Sequence, residues 1–294
     1  MRKIINIKEP DISNIERREV LKCLKKSEIS TYGSLVSEIG KKLNVYNKSK
    51  YNLTLNSGTA ALQLGFKAAG VCEGDIVITQ SFTFGATLNS IINSGADAWL
   101  FEVDKFTLSI DLIQLENSLK TKTFFKNGFT YMKKNKKKVF GVCLVTSFGI
   151  IPDLSKLKKI SNKYKLKIII DGACAFGNKY NGRPLIEYAD VVIYSFNGNK
   201  NFTSGGGGVL STNKKNIYIK AKILSENGKI KGNYTYSMFG YNYKMTNLHA
   251  AILKGQLSRY SKIKKKLANI HKNYLRRIKN VNFFFFTYNG NKKN

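Results

Sequence analysis

A chain of 294 residues with 43% hydrophobic content can bury a sizeable core, which excludes wholesale disorder and leaves room for one large domain with a smaller one attached. Its 50 Lys and Arg against 18 Asp and Glu set a net charge of +32. The lysines are spread over most of the chain, with no Arg-rich helix, zinc module or RNA-binding aromatic motif beside them, so the excess reads as compositional bias rather than a nucleic-acid footprint.

The cysteines, Cys23, Cys72, Cys143 and Cys174, form no C-x-x-C pair and stand far in sequence from His249 and His271. That argues against a metal centre and for reduced thiols in a cytoplasmic protein. In chain order, the segment 1–10 lacks the apolar core and small-residue cleavage site of a signal peptide. Residues 14–44 carry helical spacing, broken near Thr31-Tyr32-Gly33. Strands and helices then alternate: a strand at 51–55, the turn Ser57-Gly58-Thr59 into a helix at 60–69, and a strand at 75–79. The turn Ser81-Phe82-Thr83-Phe84 leads into a helix running to Ile92, with a strand at 98–103 after it. The lysine-rich segment 121–138 interrupts the alternation and reads as a basic surface excursion. A strand at 139–145, a helix at 154–164 and strands at 167–170, 191–194 and 208–211 follow. The lysine run 262–266 fits a helix face, and the run 283–286 fits a strand. No stretch approaches the roughly 18 consecutive apolar residues of a membrane span.

Short apolar strands alternating with helices predict an α/β fold with a mostly parallel sheet covered on both faces. Ligands in such sheets sit at the carboxyl ends of the strands. Ser57, Asp171 and Ser195 all fall at predicted strand ends. Lys200 lies in Ser195-Phe196-Asn197-Gly198-Asn199-Lys200, ahead of the glycines 205–208. A lysine, an acid ending an upstream strand and a Ser-Gly-Thr turn are the parts a pyridoxal phosphate (PLP) site needs, for a Schiff base, a pyridine nitrogen and a phosphate. Each residue also has a plainer reading: a solvated lysine, a turn aspartate, an ordinary helix start, a core phenylalanine at Phe84.

With these residues in order, the chain resembles the DegT/DnrJ/StrS family of PLP-dependent sugar aminotransferases. The resemblance runs from about Ile7 to Leu257 through Ser30-Thr31-Tyr32-Gly33, Ser57-Gly58-Thr59-Ala60-Ala61-Leu62, Ser81-Phe82-Thr83-Phe84 with Ala86-Thr87, Asp171-Gly172-Ala173-Cys174-Ala175-Phe176-Gly177, the Lys200 motif, and Gly240-Tyr241-Asn242-Tyr243-Lys244-Met245. It implies a fold-type-I large domain over residues 1–245 and a shortened C-terminal small domain over 246–294, because family members continue further. It also implies Lys200 and Asp171 as catalytic residues. Ser57, Gly58, Thr59, Phe84, Asp171, Cys174, Ser195, Asn197 and Lys200 would contact PLP, and Asn242 would reach the phosphate from a second copy in a homodimer. Thr31, Tyr32 and Lys244 would meet the substrate. Lys244 stands where many members carry arginine, and Cys174 where they carry glutamine or histidine. The implied reaction moves an amino group from glutamate to a nucleotide-linked sugar. The Asn-Gly-Asn before Lys200 is similar to that of members acting on UDP-linked 4-keto-6-deoxy sugars, whose products feed surface polysaccharide, lipopolysaccharide or protein glycans. Lys200 argues against the dehydratase branch, which carries histidine there. The alternatives are a truncated PLP-binding relative without turnover and a basic nucleic-acid-associated protein.

Overall fold

The computed structural model describes residues 9–230 and 234–278. The helices are α1 (Asn14–Lys25), α2 (Ser34–Asn47), α3 (Gly58–Ala69), α4 (Gly85–Asn93), α5 (Leu112–Lys122), α6 (Leu154–Lys163), α7 (Lys215–Ser225), α8 (Asn247–Ser258) and α9 (Tyr260–Arg277). The strands are β1 (Tyr51–Leu55), β2 (Ile76–Gln80), β3 (Asp97–Phe101), β4 (Thr123–Lys126), β5 (Phe129–Met132), β6 (Val139–Val145), β7 (Lys167–Asp171), β8 (Lys179–Tyr180), β9 (Arg183–Pro184), β10 (Val191–Ser195) and β11 (Gly208–Thr212).

One sheet carries the fold, in the order β1-β11-β10-β7-β6-β2-β3. Its β10–β7, β7–β6, β6–β2 and β2–β3 pairs are parallel. β11 runs antiparallel to both of its neighbours, so β1 points the same way as β10. The carboxyl ends of β1, β10, β7, β6, β2 and β3 therefore share one edge.

Successive strand residues point to opposite faces, and this chain fills both with apolar side chains. Val142, Leu144, Ile168, Ile170, Val192 and Tyr194 join one core, with α2, α5, α6 and α8 over it. Cys143, Ile169, Val191, Ile193 and Leu210 join the other, under α3 and α7. Burial on both faces is why these strands read as unbroken apolar runs. Ala250, Ala251, Leu253 and Leu257 of α8, and Ile263 of α9, belong to the first core.

The predicted elements between 51 and 211 lie within a residue or two of the observed ones, while α5, β8 and β9 have no counterpart in the sequence reading, and two further points differ. Residues 121–138 are not a plain excursion: β4 and β5 pair as a hairpin with Thr123 and Thr130 buried. Only the two threonines are buried, Phe125 and Phe129 stay exposed, and the lysines decorate the rim. Asp171 and Ser195 are the last residues of their strands rather than the first beyond them. The expected strand at 283–286 and the N-terminal segment 1–8 lie outside the described residues.

The α8–α9 junction is fixed to the N-terminal segment by a buried ion network. Arg259 Nη1 donates to both oxygens of Glu16 at 3.0 Å, and its Nη2 donates to Asp11 Oδ1 at 2.7 Å. Glu16 is almost wholly buried and also accepts from Gln256 Nε2. Removing one member of a buried pair strands the other's charge. Arg259→Ala is expected to lower unfolding free energy by about 3 kcal/mol, read as a lower midpoint in urea.

Candidate active site

The shared strand edge begins with Ser57, the N-cap of α3, whose Oγ accepts from the Ala60 N–H at 3.0 Å. The first N–H groups of a helix have no acceptor within it, so those of Gly58 and Thr59 suit an anion, aided by the helix dipole. Ser195 closes this cradle from β10. A Cβ added to Gly58 would lie 2.9 Å from Ser195 Cβ and 3.2 Å from its Oγ. Glycine at this position keeps the space open. Gly208, at the start of β11, is needed for the same approach: its Cβ would lie 2.5 Å from the Ser57 carbonyl.

Lys200 rides on the loop joining β10 to β11. The loop is pinned at both ends, with Phe196 N–H donating to Gly207 O and Ser204 N–H to Phe196 O, each at 2.8 Å. Gly205 (φ +81°) and Gly207 (φ +154°) adopt left-handed backbone, which explains part of the glycine run. The loop's aromatics, Phe196 and Phe202, pack edge-on against Phe176 at centroid distances of 5.1 and 5.4 Å. This cluster holds the loop that carries Lys200 against the segment after Asp171. Lys200 Nζ lies 3.2 Å from Cys174 Sγ. Asn197 turns the loop, its carbonyl accepting from the Lys200 N–H at 3.0 Å, and it is exposed.

Asp171 is buried at 5% exposure. Its Oδ2 accepts from Thr87 Oγ1 at 2.7 Å and its Oδ1 from the Ala173 N–H at 3.2 Å. Burial pushes its pKa above the ordinary carboxylate value, opposed by the Thr87 and Ala173 hydrogen bonds and by the Lys200 charge. No cation lies within ion-pairing distance of it among the described residues. A buried carboxylate with two neutral donors and no salt bridge has room for a charged N–H partner. This acid and the glycine-kept cradle fit PLP's pyridine nitrogen and phosphate.

Thr87 had no role in the sequence reading. It lies one helical turn past Phe84 on α4, and that spacing places it beneath the acid. Phe84, the N-cap of α4, is 83% exposed, which leaves its ring free to stack on a flat ligand. His249 was also missed. Its ring faces the glycine run, with a Cβ on Gly206 lying 3.6 Å from Nε2, and burial pulls its pKa below the ordinary histidine value.

The remaining expected residues form a second group. Residues 242–245 run beside the end of β1, with a bridge between Leu55 and Lys244, and Asn56 N–H donates to Tyr243 O at 2.8 Å. Asn56 Nδ2 reaches the Asn242 carbonyl at 3.4 Å, and the Asn242 residue is exposed. Lys244 Nζ sits 5.2 Å from the Tyr32 ring centroid and 3.6 Å from Glu226 Oε1. Thr31 and Lys244 line a cavity of about 340 Å³, distinct from the one of about 230 Å³ that Lys200, Cys174 and Ser195 line. Within one chain, Lys200 and Lys244 are therefore not brought into a common cavity. The loop 30–33 is held by Asn247 of α8, whose N–H donates to Ser30 O at 2.8 Å.

Fold and site together define a fold-type-I, PLP-dependent aminotransferase. The model of the DegT/DnrJ/EryC1/StrS aminotransferase family matches residues 10–294, and the chain belongs to that family. It is 31% identical to the GDP-perosamine synthase of Vibrio cholerae over 276 residues, which cover 92% of this chain and 71% of that protein. The GDP-perosamine synthase of Escherichia coli O157:H7 is 30% identical, with 95% and 72% covered. Among solved structures, the PLP-form of Spr1654 from Streptococcus pneumoniae superposes with a TM-score of 0.83 at 25% identity, covering 95% of this chain and 72% of that one. Helicobacter pylori PseC shares the fold, with a TM-score of 0.84 at 22% identity over 96% of this chain and 72% of its own.

Thr87→Val removes a hydroxyl that stabilises the ionised form of Asp171. PLP affinity is expected to fall about tenfold, the size of one hydrogen bond to a charged group. Asp171 would then protonate at higher pH, so the acid-side loss of PLP binding should move upward in pH. Titration of PLP absorbance against pH reads both effects, and Thr87→Ser should restore them.

Proposed function

We propose that the protein transfers an amino group from glutamate to a nucleotide-linked 4-keto-6-deoxy sugar, UDP-linked in the first reading, and does so as a homodimer. The observation that carries this is Lys200 on its pinned loop, at one strand edge with the buried carboxylate of Asp171 and the Gly58–Ser195 cradle. PLP, when bound, supplies the electron sink that lets an amine and a ketone exchange nitrogen. In this reading Lys200 Nζ holds the cofactor and then carries the proton to and from the substrate carbon. Asp171 keeps a proton on the pyridine nitrogen. Gly58, Thr59 and Ser195 bind the phosphate, and the Phe84 ring covers one face. Asn197 braces the Lys200 loop, and Cys174 shares the lysine's surroundings as a weak hydrogen-bonding group.

Tyr32, Thr31 and Lys244 bind the sugar nucleotide from a second copy, with Asn242 of that copy at the phosphate. Two observations favour this: Lys244 does not share the Lys200 cavity in its own chain, and Asn242 is exposed beside the end of β1. A GDP-linked sugar is the second reading, favoured by the GDP-perosamine synthases among the relatives. Among the described residues no helix is long and apolar enough to cross a membrane, and we place the reaction in the cytoplasm, supplying surface polysaccharide synthesis.

Purified protein with PLP should show a long-wavelength absorption band that Lys200→Ala abolishes. Glutamate should bleach it and 2-oxoglutarate restore it. Amination of a panel of UDP- and GDP-linked 4-keto and 3-keto sugars then separates the two readings. A band that forms and never responds to glutamate would overturn the donor assignment. Sedimentation of a fully active monomer would overturn the shared site.

A further inference from the structure

The β4–β5 hairpin and its flanks carry eight lysines between residues 120 and 138, and the sequence has no acid from 117 to 152. Two of these lysines are answered from the sheet, Lys137 by Asp97 and Lys138 by Asp75 at 3.0 Å. Lys120, Lys122, Lys126, Lys133, Lys134 and Lys136 are exposed, with no carboxylate at ion-pairing distance among the described residues. Asp75 precedes β2 and Asp97 begins β3. The hairpin therefore stands at the amino ends of the parallel strands, opposite the edge that holds Lys200.

The tip of the hairpin is apolar on both faces. Asn127 (φ +49°) and Gly128 (φ +82°) adopt left-handed backbone and make a two-residue turn. Lys126 then lies across from Phe129, and Phe125 across from Thr130. Paired residues share a face and successive residues alternate, so Phe125 and Phe129 lie on opposite faces. They are 58% and 51% exposed. Behind them Phe124 and Tyr131 stack with centroids 5.7 Å apart. Lys136 Nζ lies 5.1 Å from the Phe124 centroid, and Lys138 Nζ 5.6 Å from that of Phe129. Apolar rings and unanswered cations are thus presented together.

We propose that this hairpin docks the protein on an anionic lipid bilayer, with its lysines against the head groups and Phe125 and Phe129 in the interface. Lysines beside an anionic leaflet gain an attraction that a neutral surface does not give, and aromatic rings at head-group level bury apolar area. Two other partners fit the surface less well. Single-stranded nucleic acid stacks its bases on a row of open ring faces. Here Lys136 and Tyr131 already cover Phe124, and the exposed rings point apart. A second copy of the hairpin would set its unanswered lysines against an equal number of like charges. A bilayer accepts apolar groups on both sides of a tip. The surface lies away from Lys200, so docking is independent of the aminotransfer reading.

The test is co-sedimentation of the full-length protein with vesicles of equimolar phosphatidylglycerol and phosphatidylcholine, and with vesicles of phosphatidylcholine alone. Wild type should pellet with the anionic vesicles and not the neutral ones, and added salt should release it. Phe125→Ser/Phe129→Ser keeps the charge and should weaken partitioning about tenfold. Lys122→Gln/Lys126→Gln/Lys134→Gln should weaken it about tenfold or more. Lys215→Gln/Lys220→Gln/Lys262→Gln removes as much charge from α7 and α9 and should weaken it by less than about twofold, because attraction falls off within a Debye length of the docked surface. The PLP band and melting temperature of all three variants should match wild type. Equal binding to neutral vesicles, the same loss from both lysine sets, or full partitioning of the phenylalanine variant would overturn the proposal. So would an oligothymidylate that binds more tightly than the vesicles and is lost with the same residues, because the surface would then serve nucleic acid.

Discussion

The cost of burying one carboxylate organises this molecule. Asp171 ends β7 in the middle of the sheet, where desolvation outweighs the two hydrogen bonds it receives and holds its pKa high. Such a group persists when neighbours supply donors and a cation-binding role rewards its charge. Its surroundings follow from that need. α4 delivers the Thr87 hydroxyl and with it the Phe84 ring, and the backbone turn after β7 delivers the Ala173 N–H. The loop after β10 brings the Lys200 charge close enough to be felt.

Rigidity around the acid comes from close backbone approach. Gly58, Gly207 and Gly208 stand where a Cβ would meet Ser195, Ser204 or Ser57 at under 3 Å. These contacts draw the start of α3, the end of β10 and the start of β11 into one cradle. The Phe176 cluster then ties the lysine loop and β10 to the segment that follows the acid. A site that must place an amine, an acid and an anion cradle to a fraction of an ångström gains from being built on strand ends and a packed aromatic cluster rather than on long loops.

The net charge of +32 says less about function than the local accounting does. Several lysines sit beside carboxylates or in water, as Lys22, Lys42 and Lys163 do. Exposed pairs of that kind contribute little to stability. Information lies in the exceptions, where a cation is partly desolvated and unanswered. Lys264 is such a case, half-buried with the Asn178 amide oxygen at 3.4 Å from its Nζ.

Much of the architecture was legible in the chain. β6 matches its apolar run at both ends, because a strand buried on both faces must be continuously apolar and is bounded by turn residues. The motif residues Ser57, Asp171 and Ser195 were placed at one edge for the same reason: parallel strands put their carboxyl ends together. What the sequence could not determine was anything set by a partner distant in the chain. The reversed direction of β11, the burial of Thr123 and Thr130 under a lysine-rich rim, the Thr87–Asp171 bond, and the separation of Lys244 from Lys200 all depend on which faces meet. Local pattern fixes which residues face inward, since that is a one-dimensional periodicity. Tertiary packing decides which inward residues touch, and the desolvation that raises the Asp171 pKa exists only once they do.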